Sequence, residues 1–226
     1  MIAIENLKFA WPGSDFRLVI ESLSIAPGEK LAVIGPSGSG KTTLLNLLAG
    51  IETADRGSVS VLDTELKMLS DRERRDFRSS NIGFVFQQFE LLEYLNVKEN
   101  IELPFLINQN LAAEKSRLAE RETILQLASS MGIADKLLRY PRKLSQGEKQ
   151  RVAICRALVT QPKLILADEP TGNLDPGNKH RTLELLFEQA ELNGQTLIVV
   201  THDMSIVEGF DRTIDFSQYH AAEAIQ

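Results

Sequence analysis

The sequence predicts an α/β fold: a parallel-sheet core with an antiparallel β subdomain at its N-terminus and an α-helical subdomain inserted before the last core strands. Short, almost wholly apolar runs at residues 31–34, 164–167 and 196–200 read as strands covered on both faces. Residues 2–9 and 16–25 are rich in β-formers and flank the turn signal Pro12-Gly13-Ser14, so they read as a hairpin. From Gln88 to about Thr160 the pattern turns helical.

In chain order, Pro27-Gly28-Glu29 turns the hairpin into the strand at 31–34. A Gly-rich loop follows, then Leu44, Leu45, Leu47 and Leu48 of a helix that Gly50 is placed to end. Residues 59–62 form a short strand, and Ser70 or Asp71 caps a charged helix running to about Phe77. The apolar run at 82–86 ends at Gln87-Gln88. Leu118, Ile124, Leu125, Ala128 and Met131 make the apolar side of a helix whose solvated face carries Glu114, Arg117, Glu120 and Arg121. Later, Asp175 caps a helix starting at Pro176, with Leu183, Leu186, Phe187 and Ala190 as its buried stripe. Residues after Ser217 read as a short tail. The expected organisation is one domain, with residues 1–87 and 161–226 as the core and β subdomain and residues 88–160 as the helical insertion.

Composition narrows the function. The 226 residues carry a net charge of -6, which argues against a dedicated nucleic-acid binder, since such affinity rests on a basic surface. Cys155 is the single cysteine, so no internal disulfide forms and a reducing compartment is expected. The start shows no secretory signal, and no apolar run approaches the ~20 residues of a membrane helix. Any work at a membrane therefore needs other chains to cross it.

The chemistry is concentrated in three places. The first is Gly35-Pro36-Ser37-Gly38-Ser39-Gly40-Lys41-Thr42, with Thr43 next, lying between an apolar strand and a helix. Glycines let the backbone N–H groups of such a loop face inward, and the following helix adds the positive end of its dipole. Lys41 is placed to reach the β- and γ-phosphates of a bound polyphosphate, and the Thr42 hydroxyl to take one position on Mg²⁺. The second is Asp168-Glu169, two carboxylates at the end of a buried strand, where ligands of open α/β sheets bind. Asp168 suits the metal, and Glu169, pointing elsewhere, suits a general base toward water. The third is Ser145-Gln146-Gly147-Glu148, opening a helix and making a second anion site. It lies on a different subdomain from the first, so it serves another ligand or completes a site on a second copy of the chain.

In order and spacing these elements resemble the ATP-binding cassette ATPases, and the resemblance covers nearly the whole chain. It implies the P-loop NTPase fold with a RecA-like core, and ATP and Mg²⁺ as ligands. Gln87, after Phe84-Val85-Phe86, resembles the glutamine that contacts Mg²⁺ and water and links the core to the transport subunit. Asn173-Leu174-Asp175 resembles the dimer-contact loop, Thr201-His202-Asp203 the switch histidine that senses the γ-phosphate, and Trp11 the aromatic that stacks on adenine. The resemblance further implies a homodimer in the ATP-bound state, with nucleotide between the phosphate loop of one protomer and Ser145–Glu148 of the other. Membrane-spanning permease subunits are the implied partners, which would hold the chain at the cytoplasmic face of the cell membrane. Gln146 departs from the usual glycine, Glu148 from a frequent glutamine, and Trp11 from the usual tyrosine; Ser145 and Gly147 are kept. Length and the stretch from Arg72 to Gln87 most resemble the lipoprotein-releasing and macrolide-exporting subfamily, with Phe89 to Phe105 as the expected docking segment for a permease helix. A regulatory or force-transmitting switch of the cell-division type is the alternative to transport.

Overall fold

The computed structural model describes residues 1–108, 117–172 and 174–219. Of the expectations above, Glu114 and Asn173 lie outside the described residues, as does most of the expected tail.

β1 (Ile2–Ala10) and β2 (Arg17–Ile25) form the predicted hairpin, and β4 (Arg56–Val61) and β5 (Thr64–Glu65) extend it to a four-stranded sheet ordered β2-β1-β4-β5. The inward positions of β1 change phase from Ile2 and Ile4 to Leu7 and Phe9. A bulge between Glu5 and Lys8, with Asn6 at φ 49°, absorbs the extra residue, so both halves keep their apolar side chains in the core.

The second sheet is parallel throughout, ordered β6-β7-β8-β3-β9: β6 (Ile82–Val85), β7 (Leu164–Asp168), β8 (Thr196–Thr201), β3 (Lys30–Ile34) and β9 (Arg212–Asp215). Both faces of its centre are apolar, and they belong to two different cores. Leu164, Leu166, Ile198 and Val200 face α1 (Lys41–Leu48) and the antiparallel sheet. Ile165, Ala167, Leu197 and Val199 face α3 (Val97–Ile107), α5 (Gln146–Leu158) and α6 (Pro176–Leu192). This alternation explains why the strands read as continuous apolar runs. β9 was not legible beforehand, because Ile214 is its one buried residue.

Several boundaries differ from expectation for identifiable reasons. α2 (Asp71–Asn81) begins at a Ser70–Glu73 capping box and runs past Phe77. Arg78 extends it by donating to the carbonyls of Ala49 and Gly50 at the end of α1. The chain after Gln88 is not helical at once: Phe89 and Glu90 adopt φ 61° and 49°, and α3 starts only after the Asn96 cap. On α4 (Arg117–Ser130), Ile124 and Ala128 are buried, as is Met131 just past its end, whereas Leu118 and Leu125 are 67% and 50% exposed. That helix meets its neighbours along a single line, narrower than the predicted stripe.

α5 crosses β6 at very short range. Cys155 on this helix is fully enclosed, and burial pushes its thiol up to about 12, so it is inert packing. At Gly83 a Cβ would stand 2.3 Å from the carbonyl oxygen of Ala157. Gly83→Ala therefore forces helix and strand apart, and we expect a loss of about 1–3 kcal/mol, read as a lower urea midpoint at unchanged m-value.

Candidate active site

Parallel strands end on one edge of their sheet, and here that edge collects most of the residues singled out above. Asp168 pairs with Val200 and Ile34 with Thr201, so Glu169, His202 and Gly35 leave three adjacent strands at one level. Gln87 follows β6 on the same edge, two residues past Val85, the partner of Ala167.

The loop from Gly35 to Thr42 carries donors with little to neutralise them. Gly40, the N-cap of α1, is left-handed at φ 94°, and a Cβ there would come 2.8 Å from the Phe16 ring. α2, α3 and α5 all begin with a side-chain capping box, but α1 has no side-chain cap and no acidic residue in its first turn. Its first N–H groups and its positive dipole end thus lack a counter-charge of their own. Buried Lys41 donates from Nζ to the carbonyls of Gly35, 2.7 Å away, and Pro36, 2.9 Å away. The Ser39 hydroxyl is enclosed, with no hydrogen-bond partner among the described residues. An orphaned hydroxyl, an ammonium and an uncapped helix start converging on one loop fit a polyphosphate.

Beside the loop, Asp168 occupies the face of β7 shared by Leu164 and Leu166 and accepts from Thr42 Oγ1 at 2.9 Å. Burial raises its pKa; the Thr42 hydrogen bond opposes this and the neighbouring charge of Glu169 adds to it. Thr42, Asp168 and the Gln87 amide form an all-oxygen donor set, which suits a hard cation such as Mg²⁺. Among the described residues no three His, Cys, Asp or Glu side chains could hold a metal. Such a cation here needs phosphate oxygens as well.

Glu169 turns the other way. Its backbone is left-handed at φ 46°, which breaks the strand alternation and swings its carboxylate toward β8. There it accepts from the Thr201 hydroxyl at 3.1 Å and the His202 amide at 3.0 Å, and its Oε1 lies 2.6 Å from His202 Nδ1. Trp11 stands edge-on to Phe9 and donates from Nε1 to Thr43 Oγ1 at 3.4 Å, which sets its indole beside the first turn of α1.

The Ser145 segment is separate from this group. Ser145 and Glu148 complete a capping box at the start of α5, with Lys136 3.8 Å from the Glu148 carboxylate. Gly147 lies against Asn178, which Asp175 caps, so Ser145, Gly147 and Asp175 share the adjoining N-termini of α5 and α6. Among the described residues no hydrogen bond joins Ser145, Gln146, Gly147, Glu148 or Asp175 to residues 35–43, Asp168 or Glu169. Sequence reasoning missed two members of the site region: the Thr201 hydroxyl, read only as a neighbour of His202, and Lys179, paired with Asp203 at 2.6 Å. Neither has a local signal, because each partner comes from a distant strand or helix.

The ABC transporter family model matches residues 20–172. The chain belongs to that family. The lipoprotein-releasing system ATP-binding protein LolD of Bacteroides thetaiotaomicron is 40% identical over 95% of this chain and 95% of that protein. LolD of Treponema denticola is 39% identical over 93% and 92%. A dimeric ATP-binding cassette in its post-hydrolysis state, bound to ADP and Pi, superposes with a TM-score of 0.85 at 32% identity over 96% of this chain and 95% of that one. The expected fold and family are thus borne out, and the chain is an ATP-binding, ATP-hydrolysing subunit of an ABC transport system.

The raised pKa of Asp168 has a thermodynamic sign. The folded state holds this proton to higher pH than the unfolded chain does, so stability falls as pH rises through the interval between the two pKa values. We expect Asp168→Asn to melt higher than the natural chain at pH 7 in EDTA without nucleotide. The gap should close on acidification, as followed by thermal melts across pH.

Proposed function

We propose that this chain is the energising ATPase of a membrane export or extraction complex, working as a homodimer with two ATP at its interface. One observation carries this reading: the two helix starts that suit an anion, α1 and α5, are built on opposite cores of one chain, and among the described residues no hydrogen bond joins them. A second protomer placed head to tail brings Ser145 and Gly147 to the γ-phosphate held by its neighbour's loop. Asp175, on the same end of the molecule, then meets the partner. Phosphate acts as the glue and hydrolysis removes it.

In each site the amides of residues 38–43 and Lys41, released from the Gly35 and Pro36 carbonyls, hold the β- and γ-phosphates. Trp11 offers its face to the base. Thr42, Asp168 and Gln87 would hold Mg²⁺, which supplies charge neutralisation at the phosphate oxygens. Glu169 accepts a proton from the attacking water as the new bond to γ-phosphorus forms and the bond to the bridging oxygen of ADP breaks. Glu169 Oε1 shares a hydrogen bond with His202 Nδ1, so the two act as one proton-holding pair.

No helix among the described residues is long and apolar enough to cross a membrane, and the permease attachment is assigned to a groove of about 680 Å³ between α2, β6 and α3. Phe84, Phe86, Leu103, Pro104 and Ile107 give it an apolar floor, and Arg72, Arg75, Arg78 and Arg156 outnumber Asp76 and Glu90 on its walls. An amphipathic cytoplasmic helix of the permease with acidic ends fits that lining. Within the expected docking segment Phe89, Val97, Ile101 and Phe105 are core, whereas Tyr94 is exposed and Leu103 and Pro104 line the groove, whose outward surface continues beyond the segment at Phe86, Leu106 and Ile107. The curated names of the relatives favour a transporter that handles lipoproteins. The chain then sits at the cytoplasmic face of the membrane through its permease.

Glu169→Gln is expected to bind ATP as the natural chain does, to lose turnover, and to elute as an ATP-dependent dimer in size exclusion. Wild-type hydrolysis by that variant overturns the assignment of the base. Ser145→Arg should prevent that dimer while leaving nucleotide affinity of the monomer intact. Ile107→Glu, in the groove, is expected to free the chain from a co-expressed permease in pull-downs while its isolated ATPase rate stays unchanged.

A further inference from the structure

α6 starts three residues before a cation that its own dipole disfavours. Lys179 lies in the first turn, where the macrodipole is positive, and no acidic residue accompanies it there. Its compensation comes from outside the helix. Nζ donates to Asp203 Oδ2 at 2.6 Å, and both side chains are largely covered, 24% and 21% exposed. The other oxygen of Asp203 is fixed too, accepting from the Ser205 amide at 3.0 Å and the Ser205 hydroxyl at 2.6 Å. These contacts hold the Asp203 carboxyl far below the usual carboxylate range.

From Asp203 the order runs straight into the hydrolytic pair. The Asp203 amide donates to Thr201 Oγ1 at 3.0 Å, and that hydroxyl donates to Glu169 Oε2 at 3.1 Å. His202 stands between Thr201 and Asp203. Its ring is 62% exposed, and its one side-chain hydrogen bond among the described residues is to Glu169. The surroundings of the ring therefore do little to orient it; the backbone on either side must. On the helix side, the Lys179 amide donates to the carbonyl of Asp175, and the preceding Asn178 is gripped by the Asp175 carboxylate and touches Gly147.

We propose that Lys179 is a positioning residue for hydrolysis: its ion pair with Asp203 fixes the loop that presents His202 to Glu169 and ties that loop to the start of α6, beside Asp175 and Gly147. The proposal rests on Glu169 and His202 being the hydrolytic pair. This contact is a direct link by which a displacement of the α6 N-terminus, where the partner protomer is placed above, reaches the His202 loop.

The test is a double-mutant cycle on the full chain, measuring steady-state ATPase, nucleotide affinity and melting temperature. Lys179→Met is expected to lower kcat about tenfold, less than the roughly hundredfold that a 1 Å misplacement can cost, with KM and nucleotide affinity unchanged. Lys179→Arg, which keeps the charge, should restore most of the rate. Asp203→Asn, closer in shape to the natural side chain, is read in parallel and should match Lys179→Met. In a His202→Ala background, Lys179→Met should change kcat by less than about twofold, because the two act through one group. A wild-type kcat in both Lys179→Met and Asp203→Asn overturns the proposal, and so does a full additive loss in the His202→Ala background. Glu169→Gln separates the two levels: if it hydrolyses normally, the reading of the site fails, and if it is inactive while Lys179→Met is normal, the ion pair alone is wrongly assigned.

Discussion

The parallel register of β7, β8 and β3 is the constraint from which the site follows. Asp168 is level with Val200 and Ile34 with Thr201, so a carboxylate pair, a histidine and a phosphate loop leave the sheet side by side. A slip of one residue in β7 would turn Asp168 from the face of α1 to that of α5 and α6, away from Thr42, because strand side chains alternate. The apolar side chains on both faces forbid that slip: Leu164 and Leu166 belong to one core, Ile165 and Ala167 to the other. Packing thus fixes the chemistry to within a hydrogen bond.

The site keeps electrostatic demands that the fold leaves unmet. α1 starts without a side-chain cap, the Ser39 hydroxyl has no partner among the described residues, Lys41 is turned onto carbonyls of its own loop, and burial raises the pKa of Asp168. Each of these is a small cost that the fold itself leaves uncompensated. α5 is the contrasting case. Its start is satisfied by Ser145 and Glu148 within the chain, so it presents a finished surface.

Rigid links join these parts. Arg156, on the helix that begins with the Ser145 cap, donates to the carbonyls of Glu90 and, at 2.6 Å, Phe89, the two left-handed residues just past Gln87. Buried among apolar neighbours, that guanidinium has both carbonyls to satisfy it, and so α5, the chain after β6 and the groove wall are held together. Lys179 and Asp203 do the same for α6 and the His202 loop. In both cases a long basic side chain ties a helix to a loop at the carboxyl edge of the sheet.

By itself the sequence determined the parallel core, the hairpin, the phosphate loop and the strand bearing Asp168 and Glu169. Those signals are local: short continuous apolar runs, glycines where the backbone must turn, caps at fixed offsets. It also placed Ser145 and Gly147 at a helix start, because a capping box closes within four residues. Only the tertiary structure decided that β9 is a strand, that α2 runs to Asn81, that Leu118 and Leu125 face outward, and that Thr201, Arg156 and Lys179 pair with Glu169, Phe89 and Asp203. Each of these depends on a partner from a distant part of the chain. Hydrogen bonds and packing between such segments have no fixed spacing in sequence, so they become legible only when the fold brings the segments together.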